Sequence, residues 1–274
     1  MAVLDITLFS HALMRTVPLT VILPADKHDP GSHPTAYQTL YLLHGVYGDR
    51  HDWTANTPVQ RWAEERDLAV VMPSGDNMFY VDQAAPHDLY GTFIGEELVE
   101  LTRAMFPLSR QREDTFIGGL SMGGYGALRN GLLHPETFGA ICAFSSVDAV
   151  ECAQSATDEN TRFPFLAKPF LTAALGDLSA IPGSDRDVIA LAQQAQAAGK
   201  PLPRLFMSCG ESDTLCLSNR NNAESLRNLG FDITYEEGPG SHEWEFWTKS
   251  LAHALAWLPL ADASASVSSG NVGL

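Results

Sequence analysis

Residues 114 to 134 read Asp-Thr-Phe-Ile-Gly-Gly-Leu-Ser-Met-Gly-Gly-Tyr-Gly-Ala-Leu-Arg-Asn-Gly-Leu-Leu-His. In this stretch a short apolar run, Thr115 to Ile117, leads through Gly119-Leu120-Ser121-Met122-Gly123 into a segment with helical character. A strand, a Gly-x-Ser-x-Gly turn and a helix together form the arrangement that presents a serine as a nucleophile. The stretch therefore predicts a reactive serine at position 121.

The geometry of such a turn requires glycine at positions 119 and 123. Passing from a strand to a helix in so few residues forces a positive φ on Ser121, and a side chain at position 119 or 123 would then collide with the neighbouring backbone. The hydroxyl would stand above the sheet at the positive end of a helix, where developing negative charge is stabilised. An ordinary glycine-rich turn has the same five-residue pattern, so the hypothesis also requires a base and an acid elsewhere in the chain.

The composition is that of a globular protein with an excess of acidic residues. The 274 residues are 45% hydrophobic and 18% charged, which suits one α/β domain of ordinary size. A total of 17 basic and 33 acidic residues gives a net charge of −16. Because phosphate backbones and anionic membranes are bound through clustered Lys and Arg, we expect neither nucleic acid nor membrane as a partner. The composition leaves a homo-oligomer open.

The cysteines and the first residues of the chain bear on its compartment. None of Cys142, Cys152, Cys209 and Cys216 forms a Cys-x-x-Cys pair, which favours buried free thiols, although a disulfide between Cys152 and Cys216 is left open. Residues 1–10 lack the basic region of a signal peptide, and no run approaches the roughly 18 apolar residues of a membrane span. These features predict a cytoplasmic protein.

Apolar runs alternate with helical periodicity along the chain. Such alternation predicts an α/β fold, with a mostly parallel central sheet covered by helices on both faces and an antiparallel edge made by the two N-terminal strands. Residues 147–202 interrupt it and predict a small cap-like insertion, within a domain spanning residues 1–260. Residues 261–274 lack aromatic side chains and are predicted to be disordered. The predicted strands are 2–9, 15–23, 39–43, 68–72, 115–117, 140–144, 204–209 and 231–236, and the predicted helices are 58–65, 92–105, 122–133, 218–229 and 244–258.

Candidates for the base and the acid follow the last two predicted strands. A serine hydroxyl is a weak nucleophile until a neighbouring base takes its proton. His242 lies in a Gly/Pro-rich loop after the final strand and is the candidate base, although a surface histidine would fit the same position. Asp213 follows the preceding strand and is the candidate acid, which would hold the imidazole in the required tautomer. Glu211 is the alternative acid. Without a catalytic role, Asp213 would be an ordinary solvent-exposed carboxylate of the loop.

Two backbone N–H groups are candidates for an oxyanion hole. Attack on a carbonyl needs donors for the oxygen that becomes negatively charged. The first candidate is the N–H of Met122, the residue after the nucleophile. The second comes from the loop after strand 39–43, where Gly45 permits a sharp turn. Val46 is the preferred donor in that loop and Tyr47 is the alternative.

Aromatic residues near this loop and in the insertion are candidates for substrate binding. Tyr47, Phe163 and Phe165 could line a pocket for an acyl group, and ordinary core packing explains the two phenylalanines equally well. The sequence contains no His-Glu-x-x-His, no paired Cys/His spacing and no phosphate-binding Gly-Lys-Ser/Thr. We therefore expect neither a metal nor a cofactor, and a small ester as the partner.

Four separated motifs resemble those of a known family. They cover about residues 3 to 258 and occur in the family's order, and they are similar to the esterase D-like "putative esterase" family of α/β-hydrolases. Within it the similarity is greatest to the cytoplasmic tributyrin esterase or acetylesterase branch. The motifs are Leu42-Leu43-His44-Gly45 with Gly48 and Trp53, Pro73-Ser74-Gly75-Asp76, Gly119 to Ala127, and Tyr235 to Trp244.

The resemblance implies a fold, a triad and a reaction. It implies an α/β-hydrolase fold, a triad of Ser121, Asp213 and His242, an oxyanion hole at Val46 and Met122, and hydrolysis of short-chain acyl esters by a serine carboxylesterase. S-formylglutathione hydrolases of the family usually carry a Ser-Gly-Leu-Thr-Cys type of oxyanion loop, whereas this chain has His44-Gly45-Val46-Tyr47-Gly48. The alternatives are an S-formylglutathione hydrolase or other thioesterase, a carbohydrate acetyl or feruloyl esterase, and a non-catalytic binding protein on this scaffold.

Overall fold

The computed structural model describes residues 2–28, 31–160 and 162–260. Its centre is an eight-stranded sheet of order β1-β2-β4-β3-β5-β6-β7-β8. The six strands from β3 to β8 run parallel, and β2 pairs antiparallel with both β1 and β4. The strands are β1 Ala2–Ser10, β2 Arg15–Leu23, β3 Gln38–Leu43, β4 Leu68–Pro73, β5 Thr115–Leu120, β6 Ala140–Phe144, β7 Arg204–Gly210 and β8 Ile233–Gly238.

Helices cover both faces of this sheet, so the predicted α/β fold class is confirmed. The helices are α1 Asp52–Asn56, α2 Val59–Glu65, α3 Tyr90–Thr92, α4 Leu98–Met105, α5 Met122–Leu133, α6 Ala149–Ser155, α7 Lys168–Leu175, α8 Val188–Ala197, α9 Cys216–Asn228 and α10 Trp244–Trp257. Short 3-10 turns lie at Pro24–Lys27, Arg112–Asp114, Pro164–Leu166 and Leu178–Ala180. No described helix has both the length and the apolar character needed to cross a bilayer.

Successive residues of the central strands face two different cores. On β3, Tyr41 and Leu43 point into the core beneath α5, whereas Leu40 and Leu42 point into the core beneath α10. This arrangement explains the uninterrupted apolar run in β3, because a parallel strand covered by helices is buried on both faces. The first core contains Tyr125, Leu128 and Leu132 of α5, and the second contains Phe246, Leu251 and Leu255 of α10.

Several predicted elements differ in their bounds from the observed ones, and the strand predicted at 115–117 extends to Leu120. The helix predicted over 92–105 is interrupted by a π turn, Phe93–Glu97, between α3 and α4. Within this turn the Glu97 carboxylate accepts hydrogen bonds from the Ser10 hydroxyl and the His11 N–H, which tie it to the β1–β2 hairpin. The last strand was predicted at 231–236 but begins at Ile233, where its pairing with β7 starts. These last two differences lie where the chain makes contacts that are distant in sequence.

The segment 147–202 carries α6, α7 and α8 between β6 and β7. It is attached to α5, the helix that follows Ser121. The Tyr125 hydroxyl donates to the Arg186 carbonyl at 2.9 Å, and Nε of the buried Arg129 donates to the Asp185 carbonyl at 3.1 Å. All four cysteines are free and buried. The predicted disorder of residues 261–274 lies outside the described residues.

Candidate active site

Ser121 lies in the tight turn between β5 and α5, with φ 53° and ψ −117°. A Cβ atom on Gly119 would lie 2.5 Å from the Gly123 carbonyl oxygen, and one on Gly123 would lie 2.5 Å from the Leu43 carbonyl oxygen. Neither position can hold a side chain without moving backbone. The Ser121 N–H donates to the Phe144 carbonyl at 2.8 Å, which fixes the turn against β6. The positive φ and the requirement for two glycines therefore agree with the turn expected from the sequence.

The structure brings Ser121, His242 and Asp213 into one hydrogen-bonded chain. Nε2 of His242 lies 3.0 Å from the Ser121 Oγ, and its Nδ1 lies 2.8 Å from Oδ2 of Asp213. The carboxylate can only accept, so Nδ1 carries the proton and Nε2 is free to accept the serine proton. Each residue follows a different parallel strand, and the carboxyl ends of these strands meet at one edge of the sheet.

The Asp213 carboxylate is buried yet held in its ionised form. Burial by itself raises the pKa of Asp213, but hydrogen bonds from His242 and from the Leu215 N–H at 2.9 Å outweigh it, and the net pKa is lowered. A permanent negative charge beside Nδ1 stabilises the imidazolium that forms when His242 takes up a proton. Glu211, the alternative acid, is exposed to solvent. The geometry therefore favours Asp213.

The loop after β3 lies against Ser121. A Cβ on Gly45 would sit 2.6 Å from Cδ1 of Leu120 and 3.6 Å from the Ser121 Cβ. Within the described residues, the N–H groups of Val46 and Met122 donate no hydrogen bond. The Tyr47 N–H donates to the Asn77 side-chain oxygen at 2.9 Å and is thereby engaged. Of the two donors considered in this loop, Val46 is the one left open for a ligand.

The ring of His44 is hydrogen bonded both to this loop and to the loop after β4. Its Nδ1 lies 2.7 Å from the Gly45 carbonyl oxygen, and its Nε2 accepts from the Gly75 N–H at 2.9 Å. These partners require a neutral ring with the proton on Nδ1. Burial lowers the pKa of His44, which keeps the ring neutral, and the Tyr80 hydroxyl donates to the His44 carbonyl at 2.9 Å.

The bond to Gly45 also sets the direction of the Val46 donor. The Gly45 carbonyl and the Val46 N–H belong to the same planar peptide and point in opposite directions. Holding the carbonyl with Nδ1–H therefore aims the N–H away from the His44 ring. The sequence placed His44 in this loop but gave its ring no role, because the Gly75 partner is distant in sequence.

The predicted substrate-binding residues lie together at the surface. The Tyr47 side chain is 71% exposed, and its ring lies 5.6 Å from that of Phe165 at 87°. The Phe165 ring lies 5.7 Å from that of Phe163. We call Tyr47, Phe163 and Phe165 the aromatic cluster. Tyr47 directly follows Val46 in the chain. In residues 2–28, 31–160 and 162–260, no group of three or more His, Cys, Asp or Glu side chains is arranged to hold a metal ion.

The parallel sheet, the strand–serine–helix turn and the order Ser121, Asp213, His242 define the α/β-hydrolase class. The model of the family described as "Putative esterase" matches residues 10–258, and the chain belongs to that family. It is thus a carboxylic ester hydrolase, and the resemblance drawn from its motifs is confirmed.

Individual relatives agree with this placement. The chain is 37% identical over 262 residues to an acetyl esterase of Caldicellulosiruptor saccharolyticus, covering 94% of this chain and 98% of that protein. Its fold is similar to that of FphF, a fluorophosphonate-binding serine hydrolase of Staphylococcus aureus, with a TM-score of 0.83, 30% identity, and coverage of 94% of this chain and 98% of the other. The S-formylglutathione hydrolase FrmB of Staphylococcus aureus has a TM-score of 0.80, 30% identity and the same coverage.

Proposed function

We propose that this protein is a serine carboxylesterase that hydrolyses short-chain acyl esters through an acyl-serine intermediate. The observation that carries the proposal is the continuous hydrogen-bonded chain from the Ser121 hydroxyl through His242 to the buried Asp213 carboxylate. It contains a nucleophile, a base and an acid in the protonation states that acyl transfer needs.

Acylation begins when Nε2 of His242 takes the proton from the Ser121 hydroxyl. The serine oxygen attacks the ester carbonyl, and the carbonyl oxygen becomes negatively charged. The N–H groups of Val46 and Met122 donate to this oxyanion. His242 then returns its proton to the leaving alcohol as the tetrahedral intermediate collapses, which leaves the acyl group on Ser121.

Deacylation repeats these steps with water in place of the serine. Nε2 of His242 removes a proton from water, which attacks the acyl-serine, and the two N–H groups again hold the oxyanion. Collapse returns the proton to the Ser121 oxygen and releases the carboxylic acid. Asp213 stays ionised throughout and stabilises the imidazolium in both halves.

Preference for short acyl groups is supported by the similarity to an acetyl esterase and by the aromatic cluster beside the Val46 loop. A series of p-nitrophenyl esters from acetate to decanoate tests it. We expect kcat/KM to be highest at acetate or butyrate. Faster turnover of decanoate than of either short ester would contradict the preference.

A thioester substrate is the second candidate, since an S-formylglutathione hydrolase is similar over almost its full length. The loop His44-Gly45-Val46-Tyr47-Gly48 differs from the type usual in those enzymes, and on that ground we favour oxygen esters. Comparing kcat/KM for S-formylglutathione and for phenyl acetate separates the two. A much higher value for the thioester would reverse our preference.

The proposed nucleophile is tested by Ser121→Ala. We expect kcat on p-nitrophenyl acetate to fall by about a million-fold, as when a catalytic serine is removed from such a triad. Unchanged esterase activity in a folded Ser121→Ala variant would contradict the mechanism, whereas a folded wild type without esterase activity would favour the non-catalytic alternative.

We also propose that the protein works in the cytoplasm. Four buried free thiols suit a reducing compartment. Cell fractionation tests the location, and recovery of the protein outside the cytoplasm would overturn it.

A further inference from the structure

The hydrogen bonds to Ser121 and Asp213 hold the His242 ring at its two nitrogens and leave one motion open. The ring can still tilt about the line that joins Nδ1 and Nε2, which moves Cγ and the backbone behind it. The preceding loop, Gly238-Pro239-Gly240-Ser241, resists such movement weakly, because glycine has a wide conformational range. The His242 side chain is also 37% exposed. A neighbour that fixes the tilt would therefore bear directly on proton transfer.

Trp247 is such a neighbour. The centroid of its ring lies 4.9 Å from that of the His242 imidazole, and the two ring planes meet at 89°. Trp247 is buried in the first turn of α10, where its backbone N–H donates to the Glu243 carbonyl at 3.1 Å. Perpendicular rings at this separation have the edge-to-face geometry that aromatic pairs prefer. The contact therefore opposes tilting of the imidazole.

The indole of Trp247 is itself fixed by a hydrogen bond. Its Nε1–H donates to Oγ of Ser145 at 3.1 Å, and both side chains are buried. Ser145 is the first residue after β6, and its backbone N–H donates to the Ser208 carbonyl in β7 at 2.7 Å. The acceptor is thus attached to the central sheet. The indole cannot turn away without leaving a buried donor unpaired, which is costly.

Two further indoles continue the packing behind Trp247. The Trp244 ring lies 5.3 Å from that of Trp247 at 88°, and the Trp53 ring lies 5.3 Å from that of Trp244 at 89°. Nε1–H of the buried Trp53 donates to the carbonyl of Leu43, the last residue of β3, at 3.0 Å. The loop that carries the Val46 N–H follows directly. A row of three tryptophans therefore connects the proposed base to the strand that precedes the proposed oxyanion loop.

We propose that Trp247 is a positioning residue, whose anchored indole keeps the imidazole of His242 in line with the hydroxyl of Ser121. The inference rests on the proposed function, since it assigns Trp247 a role in the reaction of Ser121. Trp247 exchanges no proton and acts through His242. The imidazole must take the serine proton and pass it to the leaving alcohol, so a displaced ring slows both transfers.

Trp247→Phe tests this role. The variant retains a ring beside His242 but loses the indole donor to Ser145 and part of the contact with the imidazole. We expect kcat on p-nitrophenyl acetate to fall by about 10- to 100-fold with KM unchanged, the effect of displacing a catalytic group by about an ångström. A merely structural residue would leave kcat per folded molecule unchanged. A wild-type kcat in folded Trp247→Phe would overturn the proposal.

Trp257→Phe is the matched control. Trp257 ends the same helix, its Nε1–H donates to Oγ1 of Thr234 at 3.0 Å, and its ring lies 5.7 Å from that of Phe206. The substitution therefore removes the same donor at the opposite end of α10 from His242. We expect Trp257→Phe to keep the wild-type kcat. A loss as large as that of Trp247→Phe would refute a specific role for Trp247.

His242→Ala shows whether Trp247 acts through the imidazole. Residual hydrolysis remains when the base of such a triad is removed, because the oxyanion donors and substrate binding persist. We expect Trp247→Phe to cause no further fall in kcat when His242→Ala is already present. An equal fall in both backgrounds would contradict action through His242.

Ser145→Ala keeps the proposal open to test if Trp247→Phe does not fold. It leaves the indole in place and removes the acceptor of its N–H. We expect a smaller fall in kcat with KM unchanged, and a wild-type kcat in folded Ser145→Ala would refute the anchoring of the indole. The wild type and Ser121→Ala are assayed alongside. An inactive wild type overturns the proposed function, whereas an active wild type with fully active Trp247→Phe overturns only the role of Trp247.

Discussion

The candidate triad and the aromatic cluster lie on neighbouring loops and are held in very different ways. Asp213 is buried with hydrogen bonds to both carboxylate oxygens, and Ser121 is fixed by a turn that excludes side chains at two glycines. Tyr47 is 71% exposed, and the cluster is held through ring contacts. Replacing a buried hydrogen-bonded group disturbs every partner, whereas replacing an exposed ring removes only its own contacts. The proposed chemistry should therefore be far more sensitive to substitution than the proposed selectivity.

The largest fall in kcat is expected for Asp213→Asn. An amide can present its N–H to Nδ1 and favours the wrong tautomer of His242, so kcat should fall by about 10⁴-fold with little change in KM. Steady-state kinetics on p-nitrophenyl acetate measures the effect. Glu211→Gln, two residues away and exposed, is the control and should keep the wild-type kcat. Equal losses in both variants would contradict the choice of Asp213.

Replacing His44, which is hydrogen bonded to the proposed oxyanion loop, should have the next largest effect. In His44→Ala the Gly45 carbonyl loses its donor, and misdirection of the Val46 N–H should lower kcat by about 10²- to 10³-fold, the effect of losing one oxyanion donor. His44→Asn retains a side-chain N–H that can reach the Gly45 carbonyl, so it should lose less. If the two variants were equally impaired, or if KM alone changed, His44 would have another role.

The same histidine predicts a pH dependence of stability. Burial lowers the pKa of His44 from its ordinary value of 6.5, so below that pH the unfolded chain binds a proton that the folded chain does not. The free energy of unfolding should therefore fall as the pH drops from 6.5 towards the folded pKa, by at most about 1.4 kcal/mol per pH unit for this group.

Urea unfolding between about pH 7.5 and 5.5 measures this slope. His44→Asn has no group that titrates there, and its slope should be shallower than that of the wild type. His134→Asn should also reduce the slope, because burial lowers the pKa of His134 as well. Identical slopes in all three proteins would show that neither buried ring resists protonation in the folded state.

The smallest effects should come from the aromatic cluster. Tyr47→Ala and Phe165→Ala each remove one edge-to-face contact and part of a wall beside the Val46 loop. We expect KM to rise about 2- to 10-fold with kcat nearly unchanged, because such contacts bind the substrate and the transition state alike. Phe9→Ala, on the edge strand β1 and 54% exposed, is the control and should leave KM unchanged. A fall in kcat with constant KM would place the cluster in the chemistry.

The sequence predicts the α/β fold and the candidate triad because both depend on local patterns. Each of Ser121, Asp213 and His242 follows a predicted strand, and parallel strands bring their carboxyl ends to one edge whatever the details of packing. The sequence leaves open whether Val46 or Tyr47 supplies the second backbone N–H of the proposed oxyanion hole. The choice depends on the side-chain oxygen of Asn77, which lies in the loop after a different strand.

Other features could not be read from a pattern. Ser145 follows an apolar strand like many other serines, and only its φ of 45° and its contact with Trp247 distinguish it. The π turn at Phe93–Glu97 lies within a regular helical periodicity, and Glu97 pairs there with a hairpin more than 80 residues away in sequence. In each case a tertiary contact accompanies a backbone conformation that local propensity does not indicate.

Covalent labelling with a fluorophosphonate, followed by peptide mapping, tests the central claim most directly. Such a probe reacts with a serine whose proton is taken by a neighbouring base. We predict one adduct per chain on the peptide that contains Ser121, none in Ser121→Ala and slow labelling in Asp213→Asn. Labelling of Ser121→Ala at the wild-type rate, or an adduct on another residue of the active wild type, would contradict the account.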